Sequence, residues 1–202
     1  MEFVALFQKG GLVMYPILLA SLVALTIAFE RSAYYRKQGL KDDEFACKVN
    51  QCMQQGDRDQ VVSLCKEAGA PGEVILTAME EEKCCGGREE IVLAVAKRKT
   101  LELRKYLEYL SVIVTCAPLM GLLGTVTGMI QSFSVLNVSD GEPFAITGGV
   151  SEALIATATG LLVAIMALCL YAWLSHRANS IIADVEYAST MYLAAGGNDD
   201  AH

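Results

Sequence analysis

The chain has 202 residues, 53% of them hydrophobic, with a net charge of −7 and a mean hydropathy of +0.39. So apolar a composition excludes an ordinary soluble domain of this length. No basic-aromatic patch, glycine-rich phosphate loop, pair of catalytic carboxylates or nucleophile elbow occurs, so neither nucleic acid nor an enzymatic substrate is expected as a partner.

A helical membrane span takes about 20 apolar residues. Three stretches meet that need: Gly10 to Phe29, uncharged between Lys9 and Glu30; Tyr109 to Ser139, uncharged between Glu108 and Asp140; and Ala153 to Ser175. The first has no basic n-region and no small-residue cleavage pattern, so it is expected to be a retained span and not a signal peptide.

Between the first two spans lies a segment rich in charges of both signs. DRDQVVSLCKEAG opens with an aspartate placed to cap a helix, with Val61, Val62, Leu64 and Cys65 at helical spacing, and closes at Gly69. GAPGE then predicts a break, Glu73 to Glu82 a second helix, and CCGG at 84–87 another break. From Arg88 no breaker occurs until Pro118, and Ile91, Val92, Val95, Leu101, Leu103, Leu107 and Leu110 recur along the way. One helix is therefore expected to run from the polar segment into the second span. The third span is expected to continue likewise through ANSIIADVEYASTMYLA to Gly196-Gly197.

Orientation follows from Lys and Arg, of which fourteen of sixteen fall between Arg31 and Lys105 while NVSDGEPFAITGG, between the second and third spans, has none. The positive-inside rule then places the polar segment in the cytoplasm, with the N-terminus outside and the C-terminus inside. The expected division is 1–9 periplasmic, 10–30 first span, 31–108 cytoplasmic helical segment, 109–136 second span, 137–148 periplasmic loop, 149–175 third span and 176–202 cytoplasmic helix and tail. Cys47, Cys52, Cys65, Cys84 and Cys85 would lie in a reducing compartment, so no disulfide framework is expected. With no CxxC and with histidine only at His176 and His202, neither a metal nor a cofactor is expected.

The spans carry their own pattern. In APLMGLLGTVTGMIQSF, Gly121, Gly124 and Gly128 put small surfaces along one side of a helix and let another backbone approach closely. Pro118 cannot donate its amide to the Val114 carbonyl, which predicts a kink there or another partner for that oxygen. In SEALIATATGLLVAI, Ala153, Thr157, Gly160 and Ala164 fall along one face, and Glu152, Ala156, Thr159 and Val163 along another. A carboxylate within hydrocarbon costs about 2.5 to 3.5 kcal/mol on insertion scales. Glu152 is therefore either solvated at the end of the span or held among helices where a proton can reside on it. Thr125 and Thr157 are open to two uses as well, bonding to helix backbone or lining a hydrated passage.

GGLVMYPILLASLVALTIAFERS, APLMGLLGTVTGMIQSF and SEALIATATGLLVAI together resemble the MotA/TolQ/ExbB proton-channel family, in its ExbB/TolQ branch. The resemblance touches all three spans in order and separation. It implies an all-α membrane protein of three transmembrane helices, two of them extended into the cytoplasm, assembled as a homopentameric ring in the bacterial inner membrane among its lipids. It further implies a single-span ExbD- or TolR-like partner inside the ring and a TonB- or TolA-like protein beyond it. Thr125 and Thr157 then correspond to lumen threonines and Glu152 to the glutamate of the third span. Met166 stands where the family commonly has proline, so no bend is implied there. The expected function is a proton-channel subunit that couples the proton motive force to mechanical work, with TonB-dependent transport as its output. A Tol-type envelope system, a non-conducting scaffold and the flagellar stator branch are the competing readings, the last disfavoured by three spans and a short cytoplasmic insert.

Overall fold

The computed structural model describes residues 11–40, 44–55, 57–82, 87–136 and 143–196. The expected N-terminal segment 1–9, Cys84-Cys85 and the first half of the loop at 137–148, residues 137–142, lie outside the described residues. Every element among those described is an α-helix: α1 Met14–Gln38, α2 Phe45–Gln54, α3 Arg58–Glu67, α4 Gly69–Glu81, α5 Arg88–Arg104, α6 Leu107–Leu136 and α7 Pro143–Gly196. Three runs are long and apolar enough to cross a membrane, at Met14–Gln38, Arg88–Ser134 and Thr147–Ala195.

The chain forms two units, one of residues 1–29 and 107–173, the other of residues 30–106 and 174–202. In the second, Phe45, Ala46 and Val49 of α2, Val61 and Cys65 of α3, Ile75 and Ala78 of α4, Val92 of α5, and Ala188 and Tyr192 of α7 form one buried cluster. Its helices begin where local chemistry dictates. The Asp57 carboxylate accepts from the Gln60 amide at 3.2 Å, as the sequence predicts, satisfying one of the four donors a helix start leaves open. α4 starts earlier than expected, at Gly69, not after the Pro-Gly pair. A proline in the first turn removes only an amide that has no partner in the helix, so Pro71 does not break it. The turn falls instead at Gly69, whose φ of +63° suits glycine and where a Cβ would come within 2.6 Å of the Gln38 carbonyl oxygen. α2 has no counterpart among the expected elements.

Ion pairs lie partly buried between the helices of this unit. Lys99, almost wholly buried, bonds Glu73 at 2.6 Å and lies 3.5 Å from Glu102. Arg88 pairs with Glu82 at 2.6 Å, and the Tyr192 hydroxyl donates to the same carboxylate at 3.1 Å.

α7 is unbroken from Pro143 to Gly196, 54 residues. Its continuation past His176 to Gly196 is as expected, whereas its start lies six residues before the expected span and takes in Gly148, which falls in the expected loop. The run from Arg88 is not a single uninterrupted helix: α5 ends at Arg104 and α6 begins at Leu107. There the Lys105 amide bonds the Glu102 carbonyl, three residues back, at 3.4 Å. α6 then keeps its helical assignment through Pro118.

Candidate functional site

The first unit inverts the usual distribution of side-chain sizes. Where α6 and α7 meet, the residues are small. A Cβ added to Gly121 would lie 3.1 Å from the Thr157 Cα, one on Gly124 would lie 2.6 Å from the Ala156 Cβ, and one on Gly128 would lie 3.1 Å from the Ala153 Cβ. Seen from the other helix, a Cβ on Gly160 would sit 2.7 Å from the Ala117 carbonyl oxygen and 2.9 Å from the Gly121 Cα. The three glycines of α6 thus interlock with Ala153, Ala156 and Gly160 of α7 over successive turns. Glycine and alanine at such spacing let two backbones approach closely enough for dispersion contacts that larger side chains would prevent. Ile17 of α1 joins Ala117, Val163 and Ala164 in the adjoining buried cluster, with Val13 and Met120 packed against it.

The large side chains of the same helices point outward. Leu122, Leu123, Leu161, Leu162 and Leu168 are all about half exposed or more in the single chain. In lipid that is the favourable direction, because hydrocarbon solvates leucine as well as a protein core does.

The buried stripe of α7 departs from the two separate faces that ideal helical spacing predicts. Ala153, Ala156, Gly160, Val163, Ala164 and Ala167 are buried together, so the contact draws on both rows. A helix partner covers a stripe wider than a single row of side chains. Thr157 sits at the edge of it, half-buried, and its hydroxyl donates across to the Gly121 carbonyl of α6 at 2.9 Å. Thr125 is also half-buried, but its hydroxyl turns back along its own helix to the Leu122 carbonyl at 2.6 Å. Thr127 and Thr159 do the same, to Leu123 and to Ile155. The two threonines singled out in the sequence therefore differ: one bonds between helices, the other within its helix.

Glu152 is half-buried at the start of the small-residue stripe. Its carboxylate lies against Gly11, where any Cβ would run into Oε1, and Gly11 itself has a φ of +69°. Backbone that only glycine readily adopts thus makes room for the carboxylate. Thr147, Val150, Ser151, Leu154, Ile155 and Ala158 line an open, mainly apolar groove on the same stretch of α7. Glu152, Thr157, Gly121 and Gly128 accordingly belong to one packed region, whereas Thr125 takes part in it through no bond to α7. Among the described residues no group of three or more His, Cys, Asp and Glu side chains could hold a metal ion.

Sequence spacing gave no sign of the Gly11–Glu152 approach, because the two are far apart in the chain. The positive φ of a lone glycine becomes visible only once the fold is known.

Residues 70–187 match the model of the MotA/TolQ/ExbB proton channel family. The ExbB-like 1 protein of Synechocystis is 32% identical over 200 residues, 96% of this chain and 75% of that protein. Biopolymer transport protein ExbB of Salmonella typhimurium is 28% identical over 172 residues, 79% of this chain and 70% of that protein. The Tol-Pal system protein TolQ of Haemophilus influenzae is 36% identical over 88 residues, 43% of this chain and 39% of that protein.

Proposed function

We propose, from the premise that this chain belongs to the MotA/TolQ/ExbB proton channel family, that it is a proton-channel subunit driving a TonB-type machine of the bacterial envelope. The observation that carries the reading is that the family match takes in α6 and most of α7, the helices that bear Glu152, Thr125 and Thr157. Several copies of the chain, five in the proposed ring, enclose the membrane helix of a single-span ExbD/TolR-like partner. Protons enter past Glu152, hydroxyls of Thr125 and Thr157 hold water along the route, and the partner turns or rocks as its own carboxylate loads and unloads.

The energetics suit such a cycle. One elementary charge crossing 100 mV releases about 2.3 kcal/mol, comparable to the gap between two states of a mobile element. The small-residue stripe fits the same purpose, since helices held by backbone proximity and one threonine bond keep a ring wall thin.

TonB-type output is preferred here because two ExbB-named relatives align over 96% and 79% of the chain and the TolQ relatives over 43% and 42%, although the ExbB of Helicobacter pylori aligns over only 35%. In this reading the segment after α1 is cytoplasmic. Reconstitution tests the whole: rings in vesicles with the partner should take up protons under a potential, and native mass measurement should give a closed oligomer. A species monomeric at every concentration contradicts it. The orientation has its own readout, alkylation of intact cells by an impermeant reagent, which should spare Cys47 and modify a cysteine introduced at Ser139. Cys47 is exposed and reports accessibility faithfully. Cys65 does not, because burial pushes its thiol up to about 12 and leaves little thiolate to react on either side of the membrane.

A further inference from the structure

The two residues after α5, Lys105 and Tyr106, interrupt a stretch that local sequence gives no reason to interrupt. Neither glycine nor proline occurs between Arg88 and Pro118, and lysine and leucine are good helix formers. What accompanies the interruption comes from elsewhere in the chain. The Arg31 guanidinium of α1 donates through Nη1 to the Glu102 carbonyl at 3.3 Å, and the Tyr35 hydroxyl donates to the Leu103 carbonyl at 2.7 Å. Arg31 also stacks over the rings of Tyr106 at 4.2 Å and Tyr34 at 5.0 Å. Two successive carbonyls in the last turn of α5 are thus each taken by a buried side chain of α1, and the Lys105 amide makes a long 3.4 Å bond three residues back.

A short tightened turn inside a longer helix is a recurrent sign of a hinge, and side chains inserted into a helical ladder are an established cause of one. The cost of this arrangement argues against a purely stabilising cap. Arg31 is buried, and its Nε is without a hydrogen-bond partner. A buried unpaired donor on a charged group is expensive, so a site selected for stability alone would not be built this way. The disagreement between a helix-favouring local sequence and a side-chain-enforced interruption is the kind of conflict found at functional positions.

We propose that Lys105–Tyr106 is a two-state joint and that Arg31 and Tyr35 are positioning residues for coupling, holding it in the tightened form. In the alternative form the Lys105 amide moves from the Glu102 carbonyl to that of Leu101, closing an ordinary α-helical turn, and the α1 side chains let go. The coupling role rests on the proton-channel reading above; the joint itself does not.

The test uses Tyr35→Phe, which removes only the hydroxyl, and Arg31→Lys, which keeps the charge but loses the planar stack and the fork of donors. Each is purified as the full-length protein, in whatever assembly the unsubstituted chain forms, and followed by hydrogen exchange at the Lys105 amide, yield of that assembly, and partner-dependent coupling in cells. Release of the clamp should let the turn close, so exchange at Lys105 should slow by about fivefold, the worth of one net hydrogen bond. Coupling should fall several-fold at unchanged yield of the assembly. Faster exchange means that the side chains are only a cap on a fraying end, and overturns the joint. Unchanged exchange overturns it equally, even if coupling falls; slower exchange with normal coupling overturns the positioning role. Should Arg31→Lys fail to fold, Tyr35→Phe alone decides by the same readings. Normal coupling by Glu152→Gln would defeat the proton-channel reading while leaving the Lys105 exchange to report on the joint by itself.

Discussion

The two units solve the burial problem in opposite ways. Residues 30–106 and 174–202 bury Ile75, Val61, Val49 and Tyr192 and turn charged residues such as Glu67, Glu73 and Glu89 toward the outside. Residues 1–29 and 107–173 bury alanine and glycine where α6 meets α7, with a few large side chains such as Ile17 and Leu110 also inside, and turn most of their leucines outward. Water accounts for the first pattern, since removing large apolar side chains from it is the main driving force there. Lipid removes that force from the second, and what remains is close backbone approach and the odd interhelical hydrogen bond. Truncating a large apolar side chain should therefore cost much in the water-facing unit and little on the outer face of the membrane unit, where enlarging a small inner residue is the damaging change.

The largest effect is expected from truncation in the water-facing unit. Ile75→Ala, at a position 1% exposed, should lower stability by about 2 to 5 kcal/mol in chemical denaturation. A loss under about 0.5 kcal/mol would mean that the cluster around Ile75 is not the unit's core. Next comes enlargement in the membrane unit. Gly160→Ala brings a Cβ against the backbone of Ala117 and Gly121, which cannot yield as a flexible side chain would, and should cost about 1 to 3 kcal/mol, read as loss of thermal stability in detergent. Leu162→Ala on the same helix, 66% exposed, should stay within about 0.5 kcal/mol. Equal effects at Gly160 and Leu162 would abolish the distinction between the inner and outer faces of α7. Smaller again is Asp57→Ala, which removes the N-terminal cap of α3 and should cost about 1 kcal/mol.

The same contrast explains what could be read from the sequence. The spans were legible because a run such as Ala153 to Ser175 has one physical reason to lack charge. The Asp57 cap was legible because capping is local. The start of α4 is not legible in the same way, because a Pro-Gly pair looks like a break until the helix start at Gly69 places Pro71 in the first turn. At the candidate site, the glycine spacing of α6 announced a close helix contact, but not which row of α7 would meet it. Thr125 and Thr157 look alike in sequence and differ in structure only because Gly121 presents its carbonyl to one of them. The approach of Gly11 to Glu152, and that of Arg31 and Tyr35 to the end of α5, depend on residues far apart in the chain. No periodicity encodes them.

The central claim is that the polar residues of the membrane unit move protons in addition to packing helices, and one comparison tests it most directly. Glu152→Gln keeps the shape of the neutral carboxyl but removes the exchangeable proton. Thr157→Val removes the hydroxyl bonded to Gly121 at nearly constant volume. Partner-dependent coupling is measured in cells at matched protein level, beside the yield of assembled rings. The account predicts near-complete loss of coupling in Glu152→Gln and a partial loss in Thr157→Val, with rings assembling in both. Normal coupling in Glu152→Gln would contradict it, and normal coupling in both variants would leave Glu152 and Thr157 as structural residues of a helix pair.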